Sequence, residues 1–158
     1  IIRKHVRDGL ALAESHGVPR SIRAFITEHH GTAPLSFFLE KARQRDAAGT
    51  AGAGPFSGEF AYPGPIPQSA ETAICMLADG VEAVARSLAD PTPARLRDVV
   101  EQMVATKLGQ GQLRDTPLTL RQLEEVKAQF VRVLTGMYHS RVEYPMPVVA
   151  SVPAREVS

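Results

Sequence analysis

The stretch Ile22-Arg23-Ala24-Phe25-Ile26-Thr27-Glu28-His29-His30-Gly31-Thr32 constrains this chain more than any other. Ile22, Phe25 and Ile26 form the apolar stripe of an amphipathic helix, and His29 continues it at i+7, i+4 and i+3. Gly31 follows as a left-handed cap that ends the helix. Two adjacent imidazoles at the inner end of a buried helix are costly unless both find partners. A metal ion is the usual partner that uses both, while a plain alternative is a helix C-terminus whose dipole favours histidine.

The preceding residues bear on that choice. Ile2, Val6, Leu10 and Ala13 recur at helical spacing, and His16-Gly17-Val18-Pro19 breaks the pattern with a cap glycine and a proline suited to the next helix start. The spacing therefore predicts a helical hairpin pivoting on Gly17. His5 and His29 are equidistant from that glycine, each about 18 Å from it at 1.5 Å per residue. His5 should then stand level with His29 and His30 on facing stripes, and three converging imidazoles favour a metal site over packing.

Further along, Thr32-Ala33-Pro34 is expected to open a third helix running to about Asp46, followed by the Gly/Ala spacer of residues 47–55. Three prolines and a glycine stiffen Phe60 to Gln68 into an extended segment, either the wall of a pocket or a plain connector. The longest helix is expected from Ser69 to about Ala89, with Ile74, Leu77, Ala78, Val81, Ala85 and Leu88 in the core. Asp79 falls within that apolar stretch, where a carboxylate requires a cation. Glu82 and Arg86 are spaced for a surface pair. Thr92-Pro93 caps a helix carrying Leu96, Val99, Val100, Met103, Val104 and Leu108. A Thr119/Gln122 capping box starts the last helix, with Leu123, Val126, Phe130, Val133, Leu134 and Met137 as its core face. His139 near its end has no companion histidine and reads as surface or packing. Nothing reads as a strand, so the fold expected is an all-α bundle of about six helices.

Composition excludes several classes. The net charge is +1 with both signs interspersed, which gives no surface for polymeric nucleic acid. The single cysteine, Cys75, rules out an internal disulfide and any CxxC metal site. No apolar run approaches the roughly 18 residues of a membrane span. Neither a glycine-rich phosphate loop nor a nucleophile elbow is present. Histidine and carboxylate donors without thiolate suit iron, manganese or zinc, so metal-assisted hydrolysis is the natural class.

Several segments in fixed order then add a resemblance: Ile1-Ile2-Arg3-Lys4-His5-Val6-Arg7-Asp8-Gly9, His29-His30-Gly31-Thr32, Tyr62-Pro63-Gly64-Pro65-Ile66-Pro67-Gln68 and Leu77-Ala78-Asp79-Gly80-Val81-Glu82-Ala83. Gly111-Gln112-Leu113, Leu118-Thr119-Leu120 and His139-Ser140-Arg141-Val142-Glu143-Tyr144-Pro145 continue the series. Together they resemble the C-terminal two-thirds of an HD-domain phosphohydrolase, within it the PgpH-type, seven-transmembrane HD-domain cyclic di-AMP phosphodiesterases. The match covers residues 1–145, and 146–158 is expected to be a disordered tail. The resemblance implies an HD-like helical bundle, N-terminally truncated, with two divalent transition metals, iron or manganese. In it His5, His29 and His30 bind one metal, Asp79 binds the other, and a metal-activated hydroxide opens a cyclic dinucleotide such as cyclic di-AMP to linear pApA.

By position near that site, Thr32, Tyr62 and Arg86 are candidate substrate contacts, and no catalytic residue beyond the metal ligands is identified. The implied parent is a bacterial inner or plasma membrane protein with this domain in the cytoplasm; a homodimer is left open. The family's adjacent His-Asp pair does not occur in these 158 residues. The isolated chain is therefore expected to be inactive while its parent hydrolyses the dinucleotide. The alternative is an HD-like module that binds a cyclic nucleotide without cleaving it.

Overall fold

In the computed structural model of the chain, residues 4–34 and 61–139 are described. They form five helices: α1 (Lys4–Ser15), α2 (Arg20–Glu28), α3 (Ala70–Arg86), α4 (Pro93–Gly109) and α5 (Leu120–His139). The expected third helix lies largely within residues 35–46 and falls outside the described residues, as do the 47–55 spacer and the 146–158 tail. Its expected start, however, is described and is not helical. Pro34 instead forms an isolated antiparallel bridge with Ala61, and Tyr62 N–H donates to the Ala33 carbonyl at 3.0 Å.

The hairpin forms as its punctuation dictates. Gly17 has φ +65°, a conformation that costs a side-chain-bearing residue, and Val18 N–H donates back to Ala13 O at 2.9 Å to close the α1 end. Gly9 faces Ile26: a Cβ there would lie 3.2 Å from Ile26 Cγ2, so the glycine sets how closely the two arms approach. Arg23 and Glu14 join the arms at 2.7 Å. Ile22, expected in the apolar stripe, is instead exposed; α2 turns its Glu28 inward, and that is the helix's one buried residue among those described.

Helices α3, α4 and α5 build the main core, and α2 docks the hairpin onto α3. Ser69 and Thr72 cap α3 reciprocally, Thr92 caps α4 with Pro93 at its first turn, and Thr119 and Gln122 form the capping box expected for α5. One apolar cluster joins Ala73, Met76 and Leu77 to Val104, Leu113 and Leu123; a second joins Val81 and Ala85 to Leu96, Val100 and Leu134. Leu77, Val81 and Ala85 of α3 are buried as expected, but the buried face also takes in Thr72, Ala73 and Met76, whereas Ile74 and Ala78 are half-buried. Leu108, Val133 and Met137, expected in the core, are exposed. Gly80 lets α3 meet α4 closely, since a Cβ would sit 2.8 Å from Met103 Sδ. Among the described residues no helix is long and apolar enough to cross a membrane.

Candidate metal and phosphodiester site

The hairpin arithmetic holds in three dimensions. His5 on α1 faces both histidines at the end of α2, with ring centroids 5.7 Å from His29 and 5.1 Å from His30, while His29 and His30 are 3.9 Å apart. One nitrogen from each of the three rings lies within 4.8 Å of the others. Imidazole nitrogens sharing one ion at about 2.0–2.1 Å stand roughly 3–4 Å apart, so small rotations close the set around a single cation. The donor set therefore fits a metal ion.

Local geometry sets the protonation of two of these imidazoles. His29 Nδ1 lies 2.9 Å from Phe25 O and 3.0 Å from Ile26 O. A carbonyl only accepts, so Nδ1 carries the proton and Nε2 is left as the coordinating atom. Burial holds His30 down to a pKa of about 4, helped by the neighbouring His29 and His5 and opposed by Asp79. At neutral pH this ring is uncharged, as a ligand must be. Its 3.5 Å approach to Asp79 Oδ2 is consequently a polar contact there, becoming an ion pair only in acid. Gly31, with φ +57°, turns the chain directly after the pair.

Asp79 corrects one expectation. Its apolar sequence neighbours suggested burial, yet its side chain is about half exposed, because it sits on the edge of α3 that faces the histidines rather than α4. Its charge is felt by several groups around it. Burial and then Asp79 raise the pKa of both Tyr62 and Cys75, while burial lowers that of Lys107 against the opposing pull of Asp79.

The proline-stiffened segment proves to be a wall as well as a connector. Tyr62 stacks on His30 with centroids 4.1 Å apart at 26°, and stands edge-on to His5 at 6.3 Å. Thr32 is beside the site but already engaged: the buried Gln112 accepts from its N–H at 2.9 Å and donates to its hydroxyl at 3.1 Å. Arg86 is not gathered into the cluster. It is seven residues beyond Asp79, about 10 Å along α3, and pairs at the surface with Glu82 at 3.6 Å.

Three neighbouring residues escape sequence reasoning. Gln112 and Lys107 carry no local signal, since one reads as a turn residue and the other as a cation suited to a helix end. Glu28 did carry one: an acidic residue in the last turn of a helix opposes the dipole, so something must hold it there. Its Oε2 accepts from Gln68 N–H at 2.9 Å and from the Thr72 hydroxyl at 2.7 Å.

Known proteins resemble the chain in sequence and in fold. The chain is 38% identical over 145 residues to the cyclic-di-AMP phosphodiesterase PgpH of Bacillus subtilis, covering 92% of this chain and 20% of that protein. Over 146 residues it is 41% identical to an uncharacterized Synechocystis protein, covering 92% and 18%. The crystal structure of the Listeria monocytogenes PgpH HD domain superposes with a TM-score of 0.78 at 28% identity, over 87% of this chain and 62% of that one. The chain is homologous to PgpH over about 92% of its own length and matches the PgpH HD domain in structure. The same Listeria domain in complex with cyclic-di-AMP superposes at a TM-score of 0.81, again at 28% identity, over 90% of this chain and 64% of that one. The all-helical PgpH HD fold is thus the fold of the described residues. No protein-family model matches the chain. It spans about a fifth of the length of the curated relatives it matches.

Proposed function

We propose that this chain supplies the C-terminal part of a metal-dependent phosphodiesterase domain that opens a cyclic dinucleotide, cyclic di-AMP first among them, to its linear form. The convergence of His5, His29 and His30 from two helices is the observation that carries the reading. In it the three imidazoles hold one divalent cation. Asp79 contributes to a second, whose remaining ligands come from an adjacent His-Asp pair outside these 158 residues. Donors of imidazole and carboxylate without thiolate favour iron or manganese. Such cations, when bound, supply Lewis acidity toward phosphoryl oxygens and acidify water.

The chain's own residues divide the remaining tasks. His29 is locked in the tautomer that ligates through Nε2. Tyr62 keeps its hydroxyl protonated, since burial and Asp79 raise its pKa, and so offers a hydrogen bond to a phosphate or base edge. Lys107, half-buried beside Asp79, offsets anionic charge arriving at the site. Thr32, fixed by Gln112, presents the turn after His30 at the mouth of the site. The domain belongs, in this reading, to the cytoplasmic side of a larger bacterial membrane protein.

Elemental analysis of the purified chain tests the centre. About one equivalent of transition metal is expected, lost in a His29→Ala/His30→Ala variant, and a metal-free wild type would overturn the reading. Hydrolysis of cyclic di-AMP is expected from a domain extended upstream through its His-Asp pair and not from the 158 residues alone. Tight binding without turnover by the extended domain would instead establish a sensing module.

A further inference from the structure

The histidine pair is the last feature of α2, and a helix end that stops at a ligand needs something to hold it against the opposite wall of the site. The Glu28 carboxylate is placed to do so. It immediately precedes His29, is 7% exposed, and points away from the imidazoles toward α3. One oxygen, Oε2, accepts both the Gln68 N–H at 2.9 Å and the Thr72 hydroxyl at 2.7 Å. Gln68 ends the stiff segment that carries Tyr62, and Thr72 is the N3 residue of the α3 capping box. The Thr72 hydroxyl, besides donating to Glu28, accepts from Ser69 N–H at 3.3 Å. A single acceptor atom thus joins three elements: the helix bearing His29 and His30, the segment bearing Tyr62, and the helix bearing Asp79.

We infer that Glu28 is a positioning residue of the metal centre: through Gln68 and Thr72 it sets the distance between the histidine pair, the Tyr62 ring and Asp79 without touching a ligand. The inference rests on the metal-centre reading for its functional meaning, but its structural half stands without metal. The physical case is the placement of a carboxylate where nothing local favours it. The last turn of α2 offers unpaired carbonyls and the negative end of the dipole. An acid buried there is kept by its two donors, and removing it takes the acceptor from the part-buried Gln68 N–H and leaves the buried Thr72 hydroxyl to the longer 3.3 Å contact with Ser69 O. Because both bonds end on one oxygen, the requirement is for an acceptor of the right length rather than for a charge. Glutamine meets that requirement with its carbonyl oxygen; leucine, of similar size, does not.

The test uses the full chain as Glu28→Leu, Glu28→Gln and Thr72→Val, with two readouts. In the metal-free chain, proton NMR reports the ring-current displacement of the His30 imidazole signals by the stacked Tyr62. In the cobalt-loaded chain, titration reports affinity for Co²⁺. Glu28→Leu is expected to lose the displacement and to bind Co²⁺ about tenfold or more weakly, as for other supports behind a ligand. Glu28→Gln is expected to keep both within about threefold, and Thr72→Val, which removes one of the two donors, to fall between. If Glu28→Leu does not fold, as judged by circular dichroism, the ordering of wild type, Glu28→Gln and Thr72→Val decides. Wild-type behaviour of Thr72→Val or of folded Glu28→Leu in both readouts overturns the inference, as does a Glu28→Gln variant as impaired as Glu28→Leu. Failure of the wild type to bind Co²⁺ would defeat the metal reading instead, and the NMR readout would still decide the role of Glu28.

Discussion

The ring of Tyr62 lies on the imidazole of His30, centroids 4.1 Å apart and planes 26° from parallel. A residue from a proline-stiffened connector thereby covers one face of an imidazole whose other neighbours are His29, His5 and Asp79. This contact makes the connector part of the site, and it yields the first expectation.

Replacing Tyr62 by Phe should preserve the stack, while Tyr62→Ala should cost about 0.5–1.5 kcal/mol of stability from the lost aromatic pair, plus the burial of the ring. Urea denaturation of both variants measures this. Equal stability of Tyr62→Ala and wild type would show that the stack has no energetic weight.

His5 comes from the opposite arm of the hairpin, so its removal should open the three-nitrogen set without disturbing α2. His5→Ala is expected to weaken Co²⁺ binding on the order of 100-fold. His16→Ala serves as the comparison, because His16 sits at the exposed turn and bonds to Leu12 O and Ser15. Isothermal titration of both separates a ligand from a histidine that merely lies in the hairpin. Equal losses in the two would contradict the assignment.

The depressed pKa of His30 has a definite consequence for the metal-free chain. In the unfolded chain this histidine takes up a proton as pH falls through about 6.5, whereas in the folded chain it resists protonation until about pH 4. The unfolded state therefore binds more protons between those values, so stability should decline as pH falls from 6.5 to 4 and this contribution should level off below. Denaturant midpoints measured in EDTA across that range should drop less steeply in His30→Gln than in wild type. Parallel slopes would refute the linkage.

The turn after the histidine pair should tolerate little change. A Cβ on Gly31 would overlap Gln112 Oε1 and come within 2.7 Å of Met76 Cε, in a backbone conformation that itself costs a side-chain-bearing residue about 1–2 kcal/mol. Gly31→Ala is expected to exceed that cost. Gln112→Ala, which removes the acceptor of the Thr32 N–H, should lose about 0.5–1.5 kcal/mol for that bond. Chemical denaturation monitored by circular dichroism checks both values.

Local rules made part of this protein legible in its sequence. Gly17 and Gly31 announced positive φ, and the fixed rise of a helix placed His5 beside His29 and His30 by counting from the turn. The capping residues Ser69, Thr92 and Thr119 marked helix starts, because each satisfies backbone donors within its own turn. The order of short motifs named a family, which the relatives bear out.

Tertiary structure decided what depends on the neighbour across a gap. Whether Asp79 is buried turns on which edge of α3 faces α4, and a periodicity computed along one helix cannot rank two adjacent apolar stripes. Thr32 and Pro34 carry helix-start residues, yet they are drawn instead into contacts with Gln112 and Ala61, the former 80 residues away. Glu28 opposes the dipole of its own helix, a local signal that something holds it, but only the fold brings Gln68 and Thr72 to it. Sequence determines the helices and the level at which side chains stand along them, since those follow from bonds within a few residues. Only the packed structure sets the azimuth of each helix and the partners of its polar groups, since those follow from distant residues competing for one interior.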